Sequence, residues 1–256
     1  MLVGAALIPD TATLVDGATG DAGPVHGLLV PTLTAITQVL ASNPDVVVVV
    51  APGASDRVLG GSVSTSLAAA GIPDDQVRWP TVHVTLEDDG GGLVQPSIAS
   101  AVALHVVRRA GRERGIRVVE VTPAPGGVGL ADLGRMLAQD RPTALVVVGS
   151  GSGRHGPDAP LADDVRAPAY DAALLTDLAD AGPDARARLA SSEPGLAAEL
   201  AVRGWAPWQV LLGAAGDQPV EARLLAEEVV LGAQHAVLVW TVGGTGTRTS
   251  TGMGTA

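Results

Sequence analysis

The chain has 256 residues, 46% of them apolar, a formal net charge of −11 and no cysteine. That length fits one large α/β domain or two small ones. The acidic balance excludes nucleic acid as a partner, because a phosphate backbone needs a basic face. Without cysteine there is no disulfide, iron–sulfur cluster or thiolate metal site.

Phenylalanine and lysine are absent, so the 16 positive charges are all arginines and the core rests on Val, Leu, Ala and four tryptophans. No stretch approaches the roughly 20 apolar residues of a membrane span. Residues 1–9 lack the basic start of a signal peptide. A cytoplasmic protein with no membrane partner is expected; a small-molecule ligand and a homo-oligomer are both compatible with this composition.

Residues 2–8 form an apolar run stopped by Pro9 and Asp10 and predict a first strand. Apolar residues at Leu28, Leu29, Leu33, Ile36, Val39 and Leu40 have helical spacing. Residues 46–50, five consecutive valines, predict a second strand buried on both faces. A short helix is expected at 62–70 and a half-wet strand at 77–86, followed by the acidic turn Glu87-Asp88-Asp89-Gly90. That turn reads as solvated rather than as a hard-cation site. A helix at 97–114, a strand at 116–121 and a helix at 129–139 continue the strand–helix alternation of a largely parallel sheet.

Residues 144–156 carry the densest signal in the chain. The strand Leu145–Val148 ends in Gly149, Gly151 and Gly153 at alternate positions, and Arg154 and His155 leave that loop. Glycines suit a tight, open loop at a strand's carboxyl end, the place where ligands gather in open α/β sheets. Ser150, Gly151, Ser152 and Arg154 are the candidate substrate-binding residues. His155 is the candidate catalytic residue, a proton carrier beside a fixed cation that suits an anionic ligand. The alternative is a histidine that caps its own loop on backbone. Asp10, the loop after Val50 and the Gly149–His155 loop all follow strands, so they are expected to open on one shared cleft.

Gly151-Ser152-Gly153-Arg154-His155-Gly156 matches the dinucleotide pattern, but prolines follow where a helix N-terminus must point at the pyrophosphate. The serines of Gly149-Ser150-Gly151-Ser152-Gly153 sit out of step with a nucleophile elbow. The five histidines are scattered singly, without metal-ligand spacing, and His235 at a strand start reads as structural. Residues 168–230 read as about four helices, with Trp205 and Trp208 as core anchors and Pro207 in a first helical turn. Residues 234–242 predict the last strand. The Gly/Thr-rich tail, 243–256, is expected to be disordered, leaving 1–242 as one α/β domain.

Residues 3–9, residues 44–50, the loop Gly149–His155 and the segment Gly204-Trp205-Ala206-Pro207-Trp208-Gln209-Val210-Leu211-Leu212 together resemble the class III extradiol ring-cleavage dioxygenases in order and spacing. The nearest likeness is to an actinobacterial-type branch of unassigned function. The resemblance implies a mostly parallel or mixed sheet flanked by helices on both faces, with a helical segment before the last strand. It also implies a non-haem Fe(II) held by two histidines and a glutamate, with a further histidine for acid–base catalysis. The first histidine position holds Asp10, and the second falls in Ala51–Asp56, which has no histidine. Asp10 and Asp56 are the candidate metal residues, harder and more anionic than two imidazoles and suited to Mg²⁺, Mn²⁺ or no metal. The glutamate has no fixed place, Glu199 being one candidate, and His155 matches the acid–base histidine.

Three functions follow as expectations. The first is an extradiol-dioxygenase-like oxidoreductase with altered or lost activity and no tightly bound Fe(II). The second is a non-catalytic binding or partner protein. The third is metal-assisted or His-mediated hydrolysis in the same cleft.

Overall fold

The computed structural model describes residues 1–19, 26–77, 83–85, 93–123, 129–157, 159 and 161–243, and every count is of those residues. The acidic turn expected at 87–90 and the tail beyond residue 243 lie outside them. The elements run β1 (Leu2–Ile8), α1 (His26–Leu40), β2 (Val46–Pro52), β3 (Arg57–Leu59), β4 (Ser62–Ser64), β5 (His83–Thr85), β6 (Leu93–Val94), α2 (Ile98–Arg109) and β7 (Ile116–Val121). They continue with α3 (Leu130–Leu137), β8 (Thr143–Val148), α4 (Ala167–Asp180), α5 (Pro183–Ala190), α6 (Pro194–Glu199), α7 (Trp205–Ala215), β9 (Val220–Val230) and β10 (Ala233–Val242).

Seven strands form one mixed sheet in the order β3-β7-β2-β8-β1-β10-β9. The inner four, β7, β2, β8 and β1, are mutually parallel, so the segments after Ile8, Pro52, Val121 and Val148 all emerge on one edge. β10 runs antiparallel to β1 and brings its first residues to that same edge. This is the α/β architecture that the strand–helix alternation implies.

Alternation along each strand divides the core in two. Ile8, Val47, Val49, Val146, Val148, Val237 and Val239 face α1 and α2. Leu7, Val46, Val48, Val50, Leu145, Val147, Leu238 and Trp240 face the layer of α4 to α7. Each such buried side chain contributes about 1.5–3 kcal/mol relative to exposure. The small sheet β5-β4-β6 adds Val63 and Val84 to the α1–α2 core. Trp208 and Trp240 are buried, and the Trp240 indole N–H donates to Leu178 O at 2.8 Å.

Two local expectations are corrected. The helix expected at 62–70 is the strand β4 and a 3-10 turn at Ala68–Ala70, since Val63 is buried by pairing with its neighbours in the small sheet. The helical stretch ends at Ala215, and Val220–Val230 is an edge strand paired antiparallel with β10 in a long hairpin. Ala, Leu, Glu and Arg in β9 favour a helix. The two-residue turn Leu231-Gly232 overrides them, with φ of 50° and 74°, the sign that lets antiparallel strands reverse directly. Among the described residues no helix is long and apolar enough to cross a membrane.

Candidate functional site

The glycine loop after β8 is pinned residue by residue. The backbone N–H groups of Gly149, Gly151, Gly153 and His155 donate to Ile8 O, Gln234 O, Leu200 O and Gly232 O at 2.8–3.0 Å. Ser150 O and Ser152 O accept from Gly204 N and Gln234 N. The segment after β8 is therefore tied along its length to the end of β1, to the start of β10 with its preceding turn, and to the α6–α7 connection. None of Gly149, Gly151 or Gly153 has positive φ. Glycine serves close approach instead: a Cβ on Gly149 would lie 2.2 Å from Gly204 Cα, and one on Gly151 would lie 2.6 Å from Asp171 Oδ1.

Alternation carries the loop's side chains to two separate polar centres. On the α1 side, Ser150 Oγ donates to Asp10 Oδ1 at 2.5 Å and lies 2.7 Å from His235 Nδ1. Arg203, in the connection between α6 and α7, places Nε on Asp10 Oδ2. Asp10 is acceptor-only while it holds Arg203, so the one Ser150 proton goes to Asp10 and His235 Nδ1–H must donate to Ser150. Burial pushes the His235 pKa down, against the pull of Asp10 and Glu228. The direction of the network is thus His235 to Ser150 to Asp10, with Arg203 neutralising the carboxylate. Here His235 acts as donor to a buried Ser150, the reverse of a base activating a nucleophile.

On the opposite side, His155 Nε2 lies 2.6 Å from Asp171 Oδ2. Asp171 is buried, and its Oδ1 also accepts Ser152 N–H at 2.9 Å. Burial raises the Asp171 pKa, while His155 and Ser152 N–H oppose that rise. An Nε2–H held by this carboxylate leaves Nδ1 as a bare acceptor. His155 and Asp171 line an open groove of about 590 Å³ between α4 and β9, with Leu175, Leu224, Glu227 and Gln234.

The sequence-derived candidates separate accordingly. His155 directs its ring to a carboxylate, not to its own loop's backbone. Ser150 and Ser152 are buried and Gly151 is packed under Asp171, so they build the loop. Arg154 directs Nε to Glu199 O at 2.6 Å and Nη1 to Ala162 O at 2.9 Å. It ties down the neighbouring segments through these two backbone carbonyls. Asp10 and Asp56 are not brought together. They follow β1 and β2, which flank β8, and Asp56 accepts from Thr122 N and Oγ1 at 2.6 and 2.9 Å. Glu199 is largely exposed and pairs with Arg166.

Three residues of these centres carry no motif: Arg203, His235 and Asp171. Only Asp171 has a readable signal, since it interrupts the buried stripe Ala167, Leu174, Leu178 on α4.

The implied iron does not fit these donors. Fe(II) in a facial triad needs two neutral imidazoles and a free carboxylate. Asp10 offers a carboxylate already bound by a guanidinium, beside one imidazole. Among the described residues no three His, Asp or Glu side chains are grouped to hold a metal.

Comparison with solved structures finds the fold again. An uncharacterized protein from Escherichia coli K12 superposes with a TM-score of 0.50 and 17% identity, over 93% of this chain and 99% of that one. At that identity the likeness is one of fold alone. No protein-family model matches the chain, and no curated protein matches it.

Proposed function

We propose that this chain is an extradiol-dioxygenase-like protein that has lost iron-dependent ring cleavage and acts on a small molecule through a metal-free acid–base pair, His155 and Asp171. The observation that carries the reading is the 2.6 Å contact from His155 Nε2 to buried Asp171, with the ring lining a groove. Asp171 fixes the ring and its tautomer. His155 Nδ1 then takes a proton from a ligand O–H or N–H, and Asp171 stabilises the imidazolium that results. The groove's aliphatic walls, Leu175 and Leu224, would exclude water from one side of that ligand. Arg203 on Asp10 supports the loss of iron, because a guanidinium on the first ligand position competes with any cation there.

The test is anaerobic loading with Fe(II), followed by oxygen uptake on protocatechuate and on catechol. No uptake above the protein-free Fe(II) control is expected, and no iron retained through gel filtration. Stoichiometric iron with oxygen consumption on either catechol would overturn the proposal.

A further inference from the structure

The groove of His155 offers hydrogen-bond acceptors and no free cation. His155 presents Nδ1 as a bare acceptor, because Asp171 holds Nε2–H. Thr176, on the α4 wall, donates its hydroxyl proton to Ala172 O at 2.8 Å, which leaves its oxygen lone pairs for a ligand. Gln234 is buried and turns its amide N–H toward His235 O at 3.5 Å. Glu227, exposed on β9, lines the same groove and has no ion-pair partner among the described residues. No arginine lines the groove among those residues. Its two carboxylates differ in what they have left to give: Asp171 is spent on His155 and Ser152 N–H, and Glu227 is free. A cleft lined by one sign of charge concentrates ligands of the opposite sign.

We infer that this groove selects a small organic cation, a primary amine carried on an apolar body, with the ammonium on Glu227 and the body against Leu175, Leu224 and Val229. An ammonium has three donors and no acceptor, the complement of a groove that offers acceptors. An anion would meet Glu227 and Asp171 with no cation to pair. The groove's volume of about 590 Å³ suits a small organic molecule. Leu175 and Gln234 also border a cavity of about 10 Å³ with Leu178 and Trp208, room for one water at most, so the ligand lies along the groove and not beneath α4. The inference rests on the reading of His155 and Asp171 as an acid–base pair, and it names the class of molecule they act on.

Benzylamine, benzyl alcohol and benzoate share one apolar body and differ in charge. Each is titrated into the full chain as wild type, Glu227→Gln and Glu227→Asp, and followed by the ¹⁵N–¹H amide shifts of the groove residues. Benzylamine should saturate those shifts and bind at least about fivefold more tightly than benzoate, with benzyl alcohol between them, the scale of one exposed ion pair gained or lost. High salt should shrink the preference, because it screens exposed charges. Glu227→Gln should bring benzylamine to the level of benzyl alcohol, and Glu227→Asp should keep most of the preference. Glu227 is exposed, so both variants should melt with wild type. Benzoate binding as tightly as benzylamine, Glu227→Gln with its preference intact, or no saturable shift of the groove amides with benzylamine would overturn the inference. Oxygen uptake with Fe(II) decides the metal-free reading separately. The amine preference can fail with ring cleavage absent, and ring cleavage can appear with the preference intact, so the two failures are distinct.

Discussion

Gln234 and His235 are consecutive in β10 and serve opposite faces of the sheet: Gln234 lines the groove of His155, and His235 bonds to Ser150 beside Asp10. The period-two geometry of a strand makes this unavoidable. It divides what a single edge of the sheet gathers into two centres of different character, one neutralised by Arg203 and one open at His155.

The His155–Asp171 contact sets the cost of breaking it. Removing one partner of a buried charge-assisted hydrogen bond costs about 1–3 kcal/mol. His155→Ala should therefore destabilise by that amount in urea melts, and His155→Ala/Asp171→Asn by less than His155→Ala alone. Equal losses in the single and double variants would mean that Asp171 does not depend on His155.

Stability should fall as pH drops from about 7.5 to 5.5. Burial lowers the pKa of both His105 and His235 below the usual value of 6.5. The unfolded chain therefore takes up protons that the folded chain refuses, and stability present above pH 6.5 is lost as pH falls through the folded values. His105 Nε2–H donates to buried Thr65 O at 2.9 Å, and its Nδ1 is buried without a partner, so a second proton has no acceptor. His105→Gln should flatten part of the Tm decline over that range. Asp171, whose pKa is raised, acts in the opposite sense nearer its unfolded value of 3.8, at the acid end of the profile. A decline as steep in His105→Gln as in wild type would show that His105 does not govern it.

Backbone contact between the glycine loop and α7's approach leaves no room for a methyl group. Gly149→Ala would place Cβ 2.2 Å from Gly204 Cα, where no flexible side chain can yield. Overpacking of this kind costs typically about 1–3 kcal/mol, and here it should also displace Arg203 from Asp10. The check is a lowered Tm together with an altered Asp10 resonance; an unchanged Tm would show that the loop yields freely.

The fold is legible in the sequence because its signals are redundant. Val46–Val50 and Leu145–Val148 announce buried parallel strands by their lack of alternation, and Asn43 and Gly149 punctuate them. β9 is not legible: its Glu, Ala and Leu have helical preference, and Leu231-Gly232 lacks the Asn-Gly or Asp-Gly signature of its turn. The site is half legible. His155 and the loop stand out in sequence, and Asp10 and the loop do meet the one sheet edge expected of them. Alternation at Gln234 and His235, which sends Gln234 to the His155 groove and His235 to Ser150, is not legible there. Arg203 reaches Asp10 across 193 residues, a distance that no local pattern spans.

The central claim is tested most directly by long-range ¹⁵N–¹H correlation spectra of the His155 imidazole in metal-free protein, repeated after addition of Fe(II) or Zn²⁺. The expected result is a neutral ring protonated at Nε2, with Nδ1 bare, unchanged by either metal, and a change of tautomer balance in Asp171→Asn. A ring protonated at Nδ1, or one whose nitrogen shifts move on stoichiometric metal addition, would contradict a metal-free acid–base pair at His155 and Asp171.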